Sequence, residues 1–250
     1  TRIGERVIVE PVFHNSDGAR TTPTYFGSDA DGAFAEYTVV PELYARRVDS
    51  TWTDTELASL PCSYSAAENM LARVNASSSD TIIVTGASGG VGSAAVQLAK
   101  RRGARVIALA AEAKHDEVRS LGADTVLPRD TDLVALFGRR SLDVVIDVVG
   151  GPVWPALLDV LRRGGRYAAS GAIAGHWVEL DLRTLYLNDL TLYGCTDLGP
   201  DVFTDLIGYV ERGEIRPVVA ATFPLNDIVA AQRLFLTKQH VGKIVLTVAG

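Results

Sequence analysis

The sequence is short of cysteine, of long apolar runs and of positive charge. Its 250 residues include two cysteines, Cys62 and Cys195, which is too few for a disulfide scaffold and favours a reducing compartment. No apolar stretch approaches the roughly 20 residues that a membrane-spanning helix needs. The 24 Lys and Arg are outnumbered by 30 Asp and Glu, which excludes a basic nucleic-acid-binding footprint. We therefore expect a cytoplasmic protein without a membrane or nucleic-acid partner.

What is present is the composition of a folded globular chain. Hydrophobic residues make up 47% of the sequence and charged residues 22%, which supplies enough apolar material for a core. Near the start, residues 6–11 and 33–40 have the pattern of apolar strands, and the polar residues 14–31 between them have that of an exposed loop. This β-rich opening predicts part of a small barrel.

From residue 81 onward, strand patterns alternate with helix patterns. Short β-branched runs predict strands at residues 81–85, 105–110, 125–127, 143–147, 166–170 and 190–194. Amphipathic segments predict helices at residues 91–102, 114–121, 133–137 and 154–162. This alternation predicts an α/β fold with a doubly wound, six-stranded parallel Rossmann sheet.

After Cys195 the pattern changes again. Helices are predicted at residues 201–212 and 225–239, and a last strand at 243–248, which fits the opening domain better than the parallel sheet. We therefore expect one domain to be interrupted by another, with residues 1–62 and 199–250 in the first and residues 63–198 in the cofactor-binding domain.

A glycine-rich loop, residues 85–94, follows the first of these strands and opens a helix. Backbone N–H groups at such a helix start suit a pyrophosphate, and glycine lets the backbone approach it closely. The loop also matches the pattern of short-chain dehydrogenases, but no lysine stands four residues after a tyrosine as that family requires. A third match, Gly86-x-Ser88-x-Gly90, is that of a serine esterase with Ser88 as nucleophile.

Phrases along the whole chain decide between these matches. In chain order they include GAFAEYTVVP, LPC, VTGASGGVGSAAVQLAK, RVIALA, LGAD, DVVIDVVGG, LRRGGRYAASG, LTLYGCT and GKIVLT. In this composition and order the chain resembles the medium-chain dehydrogenase/reductase superfamily, of the quinone oxidoreductase and zinc-type alcohol dehydrogenase kind. The resemblance implies a Rossmann domain inserted in a partial GroES-like β-barrel catalytic domain. Family members begin with a further N-terminal segment, so the resemblance also implies that this chain lacks that segment.

The resemblance implies a set of cofactor-binding residues. The pyrophosphate would lie on Ser88, Gly89, Gly90, Val91 and Gly92, and the remaining contacts would come from Val148, Gly150, Ser170, Gly171, Ala172 and Lys243. Ala110 stands where NAD-dependent relatives carry an acid, and Lys114 follows within reach, which favours NADP(H) over NAD(H). Glu112 is the alternative, because it could bind the ribose hydroxyls of NAD(H). Lys243 could equally be a solvated lysine at a strand end.

Two residues near the first domain boundary are candidates for chemistry. Cys62 matches a catalytic zinc ligand of zinc-dependent relatives, whose other ligands lie in the absent segment; the alternative is a buried, inert thiol. The cysteine-rich lobe that holds structural zinc in relatives is replaced by residues 14–31, so no structural zinc is expected. Tyr64 is a candidate proton donor, with a packed core aromatic as the alternative.

The resulting hypothesis is an NADP(H)-dependent oxidoreductase. It would transfer hydride between nicotinamide and a small-molecule quinone, enone, carbonyl or alcohol. A non-catalytic NADP(H)-binding module and the serine esterase remain as alternatives. The family pattern further implies a homodimer through the edge strand near residues 191–195, where an unpaired edge would invite aggregation.

Overall fold

The computed structural model describes residues 2–17 and 20–248. The strands are β1 (Val7–Val9), β2 (Val12–Asp17), β3 (Arg20–Tyr25), β4 (Ala45–Arg47), β5 (Thr81–Val84), β6 (Arg105–Ala110), β7 (Thr125–Pro128), β8 (Leu142–Asp147), β9 (Leu161–Ala169), β10 (Thr191–Gly194), β11 (Val219–Pro224) and β12 (Lys243–Thr247). The α-helices are α1 (Asp54–Ala58), α2 (Pro61–Arg73), α3 (Gly90–Arg101), α4 (His115–Ser120), α5 (Leu133–Phe137), α6 (Trp154–Asp159), α7 (Leu182–Leu187), α8 (Val202–Glu211) and α9 (Ile228–Thr237). Among these residues, no helix has both the length and the apolar character needed to cross a membrane.

The chain divides into two compact units. One takes its described residues from Thr1–Ser65 and Asp197–Gly250, and the other consists of Ala66–Thr196. The chain therefore leaves the first unit once and returns to it.

The second unit is built on a six-stranded parallel sheet, as the sequence predicted. The strand order is β10-β9-β8-β5-β6-β7, so the chain winds outward from β5 in one direction and from β8 in the other. The central strand β5 is apolar from Ile82 to Val84, as expected where helices cover both faces of such a sheet. Ile82, Ile83 and Val84 of β5 are each 0% exposed.

The sheet's core also explains where the helices lie. One cluster gathers β-strand residues such as Ile83, Ile107 and Val145 with Leu157 and Leu158 of α6. Helix α3 buries small residues, among them Ala94 and Ala95, which let its axis approach the sheet closely. The helix extends over 12 residues, from the glycine-rich loop to the turn before β6.

The first unit contains three two-stranded sheets among its described residues. These are the antiparallel pairs β1–β4 and β2–β3 and the parallel pair β11–β12. The GroES-like barrel implied by the resemblance stays an expectation.

Two local predictions for this unit are wrong. Residues 33–40, predicted to be a strand, pair with no neighbour in the described part of the chain, and Tyr37 is 90% exposed. Residues 14–31, predicted to be a loop, contribute most of the hairpin β2–β3. Backbone pairing holds the two strands together, and Val12, Phe13 and Tyr25 at one end of the hairpin pack against apolar neighbours.

Candidate functional site

The centre of the parallel sheet contains a topological switch point. β5 and β8 are neighbours, and the chain continues from them to opposite sides, β6 beyond β5 and β9 beyond β8. Ligands of open α/β sheets bind in the crevice at the carboxyl ends of such strands. In this protein the glycine-rich loop follows β5 at that point, and residues 148–151 follow β8.

The glycine loop begins with a turn that requires glycine. Gly86 has a φ of 57°, in the left-handed region that other residues adopt at a cost. A Cβ on Gly86 would lie 2.9 Å from Cγ2 of Val149 and 3.1 Å from Cγ2 of Val148. The loop after β8 therefore packs directly on the start of the glycine loop.

Helix α3 approaches the loop equally closely. A Cβ on Gly92 would lie 2.1 Å from the carbonyl oxygen of Gly86. The N-cap residue is Gly89, which has no side chain that could cap the helix. The N–H groups of a helix's first turn have no intrahelical acceptor, and the helix dipole makes this end positive. A narrow, glycine-rich cradle that ends at a positive helix terminus fits the pyrophosphate of a dinucleotide.

A buried carboxylate lies beneath the two loops. Asp147, the last residue of β8, is 0% exposed. It accepts hydrogen bonds from the hydroxyls of Thr85 and Tyr167, the latter at 2.6 Å, and from the N–H groups of Val149 and Gly150 at 2.8 and 3.1 Å. Burial, followed by the charge of Asp147, raises the pKa of Tyr167 well above its ordinary value, so its hydroxyl keeps the proton that it donates.

The loops after β8 and β9 also contact each other closely. A Cβ on Gly150 would lie 2.8 Å from the carbonyl oxygen of Gly175, and one on Gly171 would lie 2.9 Å from that of Val148. Ser170 N donates to Asp147 O at 3.1 Å. The predicted residues Val148, Gly150, Ser170, Gly171 and Ala172 therefore lie in one stretch of the sheet's carboxyl edge.

On the other side of the glycine loop, a lysine side chain lies shortly after the end of β6. Ala110, the last residue of β6, is 1% exposed and offers no carboxylate. Lys114 Nζ lies 3.5 Å from Ser88 Oγ, so this ammonium group stands against the glycine loop. Burial and then the nearby Arg129 lower the pKa of Lys114, while Glu117 raises it. Two cations thus lie near each other at the ends of β6 and β7.

The other predicted residues lie in the first unit. Tyr64 is 1% exposed and its hydroxyl donates to the backbone oxygen of Arg216 at 2.7 Å, which gives it a structural role. Lys243 begins β12, and its N–H donates to Val218 O. The proposed roles of Tyr64 in proton transfer and of Lys243 in phosphate binding stay predictions.

Cys62 is exposed, so the alternative of a buried thiol is wrong. It lies at a kink in α2, where its φ and ψ are 5° and −56°. The described residues contain no group of three or more His, Cys, Asp or Glu that could hold a metal ion. The side chains present therefore do not form a zinc site by themselves, and we assign no chemical step to zinc.

Sequence reasoning assigned no individual role to four residues of the site: Thr85, Asp147, Tyr167 and Arg129. An acid that ends an apolar strand, directly before Val-Val-Gly-Gly, was the available signal for Asp147. The partnership of Asp147 with Thr85 joins residues 62 positions apart, which no local pattern reveals.

Comparison with known proteins gives a consistent family. The model of the zinc-binding dehydrogenases matches residues 90–212. The chain is 30% identical to the acryloyl-coenzyme A reductase of Metallosphaera sedula, over 89% of this chain and 67% of that protein. It is 33% identical to erythronolide synthase EryA2 of Saccharopolyspora erythraea over 86% of this chain, which spans only 6% of that protein.

Solved structures agree with the sequence comparisons. A Sinorhizobium meliloti 1021 protein assigned to the alcohol dehydrogenases matches with a TM-score of 0.92 and 43% identity, over 99% of this chain and 70% of that one. The reductase CinF, solved with NADP and 2-octenoyl-CoA, matches with a TM-score of 0.87 and 26% identity, over 97% and 63%. An NAD-dependent alcohol dehydrogenase matches with a TM-score of 0.90 and 27% identity, over 98% and 76%. The chain belongs to the medium-chain dehydrogenase/reductase superfamily of oxidoreductases, as its sequence motifs predicted.

Proposed function

We propose that this protein is an NADP(H)-dependent oxidoreductase that transfers hydride between nicotinamide and an enone, quinone, carbonyl or alcohol. The observation that carries the proposal is the glycine cradle at the switch point, where Gly92 brings the positive end of α3 against the loop. Family membership supports a redox reaction in preference to the ester hydrolysis that Ser88 suggested, and the contact of Ser88 is with Lys114.

The bound cofactor would supply hydride chemistry at its nicotinamide ring. The chain's own contribution is to bind and orient. The N–H groups at the start of α3 would hold the pyrophosphate, and residues 148–150 and 170–172 would form a wall of the crevice for the rest of the dinucleotide. Fixing the donor and acceptor carbons in one geometry converts an encounter between two molecules into a step within one complex.

The preference for NADP(H) rests on the end of β6. Ala110 presents no carboxylate to repel a 2′-phosphate, and Lys114 and Arg129 supply two positive charges nearby. The structure of CinF contains NADP, whereas another neighbour is described as NAD-dependent. The alternative, NAD(H) held by Glu112, predicts the opposite preference.

Turnover measurements test the proposed reaction. The protein is incubated with NADPH or NADH and a panel of enones, an enoyl-coenzyme A thioester, quinones and aldehydes, and reduced nicotinamide is followed by its absorbance. We expect NADPH consumption with at least one acceptor, and deuterium transfer from cofactor labelled at C4. Cofactor binding without turnover of any acceptor would instead support the non-catalytic binding module.

We further propose that two copies of the chain pair through β10. This strand occupies one edge of the six-stranded sheet, and Thr191 and Gly194 at its two ends are exposed. A free edge is a template for another strand, and pairing with a second copy would satisfy it.

A further inference from the structure

The carboxylate of Asp147 has an unusual environment for a fully buried acid. Its Oδ1 accepts from Thr85 Oγ1 and from the N–H groups of Val149 and Gly150, and its Oδ2 accepts from Tyr167 Oη. Gly150 N also lies 3.3 Å from Oδ2. Oδ1 thus accepts from three donors and Oδ2 from two, and a carboxylate has acceptor sites for all of them.

These hydrogen bonds connect the two walls of the cofactor crevice. Thr85 directly precedes Gly86, at the start of the glycine loop, whereas Val149 and Gly150 belong to the loop after β8. Thr85 Oγ1 also accepts from Val148 N at 3.1 Å, so the same hydroxyl contacts both the acid and the second loop. The packing of Val148 and Val149 on Gly86 completes the connection.

We propose that Asp147 is a positioning residue that holds the glycine loop and residues 148–150 at the spacing that receives the dinucleotide. The proposal rests on the proposed function, because the ligand of the crevice is the nicotinamide cofactor. Asp147 lies beneath the loops and acts through them without touching the cofactor. Replacing its charge therefore loosens both loops together and weakens cofactor binding more than it weakens the fold.

The most direct test is Asp147→Asn, compared with Asp80→Asn as a matched control. Asparagine has nearly the size of aspartate, but its NH₂ group cannot accept the hydrogen bonds that a carboxylate oxygen accepts. Asp80 is 4% exposed and ion-paired with Arg166, and it directly precedes β5, at the opposite end of that strand. Both variants lose a buried carboxylate, but only the carboxylate of Asp147 lies beneath the crevice.

Two measurements on the full chain separate the outcomes. Amide hydrogen exchange without cofactor should accelerate in residues 86–92 and 148–150 together in Asp147→Asn and in neither segment in Asp80→Asn. Titration with NADPH should show a dissociation constant raised about tenfold or more in Asp147→Asn, the scale of lost hydrogen bonds to a charged group, and unchanged in Asp80→Asn.

A hydroxyl series covers the case in which Asp147→Asn does not fold. Thr85→Val removes the donor to the carboxylate at nearly constant volume, whereas Thr85→Ser retains the hydroxyl. We expect Thr85→Val to raise exchange in both loops and to weaken NADPH binding, and Thr85→Ser to restore both properties towards wild type.

Three results would count against these proposals, each in a different way. Unchanged exchange in the folded Asp147→Asn or Thr85→Val variant overturns the positioning role, and so does an equal effect of Asp80→Asn. Wild-type protein that binds neither NADPH nor NADH overturns the proposed function, and the exchange data then still decide whether Asp147 holds the two loops.

Discussion

Gly92 sets the distance between helix α3 and the loop that precedes it. Its missing side chain leaves room for the carbonyl group of Gly86, which a Cβ would approach to 2.1 Å. We expect Gly92→Ala to push the helix away from the loop, to lower the free energy of unfolding by about 1–3 kcal/mol as overpacking does, and to weaken NADPH binding. Urea unfolding and NADPH titration measure the two effects.

Gly199 provides the matched control for this substitution. A Cβ there would lie 3.5 Å from Cγ2 of Val202, an ordinary contact. Gly199→Ala should therefore leave NADPH binding unchanged. Tight NADPH binding by a stable Gly92→Ala variant would contradict the cradle geometry.

Lys114 should determine the choice between the two nicotinamide cofactors. Lys114→Gln removes the charge, so the dissociation constant for NADPH should rise about tenfold while that for NADH stays constant. Glu112→Gln is the companion variant, because weaker NADH binding there would favour the NAD(H) alternative. Equal effects of Lys114→Gln on both cofactors would argue against a 2′-phosphate contact.

The lowered pKa of Lys114 predicts that NADPH binding depends on pH. Burial and Arg129 lower the pKa of Lys114, against the opposing effect of Glu117, so its positive charge is lost at a lower pH than for an ordinary lysine. NADPH affinity should consequently fall as the pH rises through this lowered pKa, while NADH affinity should not. Lys114→Arg, which stays charged, should remove the decline.

At the scale of elements, Asp124 connects helix α3 with strands β6 and β7. Its carboxylate accepts from Val106 N at 2.7 Å and from Lys100 Nζ at 2.9 Å. Burial raises its pKa, but the two hydrogen bonds together with the positive charges of Lys100 and Arg105 outweigh burial, and the pKa of Asp124 lies below its ordinary value. The contribution of Asp124 to stability is therefore present above the unfolded-state pKa, about 3.9, and is lost as the pH falls through the lowered folded-state value.

This argument predicts the result of a pH series of urea unfolding. Asp124→Asn should be less stable than wild type at neutral pH, and the difference should shrink in acid. Asp116→Asn, at an exposed i,i+3 pair with Arg119, should match wild type at every pH. If the difference in the free energy of unfolding between Asp124→Asn and wild type were independent of pH, the charge of Asp124 would not contribute to stability.

Elements were predictable from the sequence where burial fixed their composition. Strands β5 and β6 consist mostly of buried apolar residues, so β6 was predicted with its observed bounds and β5 to within one residue. The hairpin β2–β3 contains residues such as Asn15 and Thr22 and has no such signal. Helix α2 begins with Pro61 and is kinked at Cys62, and it was not predicted.

The same distinction applies to the site. The glycine loop is a contiguous motif whose chemistry can be predicted from local sequence. The hydrogen bonds of Asp147 with Thr85 and Tyr167 depend on strand order and register, which bring distant residues together only after folding.

At the scale of the whole molecule, pairing through β10 predicts the mass in solution. Lysine at an exposed strand edge disfavours strand addition, so Thr191→Lys should raise the dissociation constant of the dimer. Thr237→Lys, on an exposed part of α9, is the control. Sedimentation equilibrium distinguishes the results, and a wild-type protein that is monomeric at all concentrations would disprove the pairing.

The central claim is that the chain binds a nicotinamide dinucleotide, and NADPH in preference to NADH, in the crevice at the switch point. Native mass spectrometry of the protein with both cofactors in competition tests it most directly. We predict one cofactor per 26.7 kDa chain, with NADPH displacing NADH, and loss of the bound species in Gly92→Ala but not in Gly199→Ala. Absence of any cofactor-bound species, or bound NADH that NADPH cannot displace, would contradict the claim.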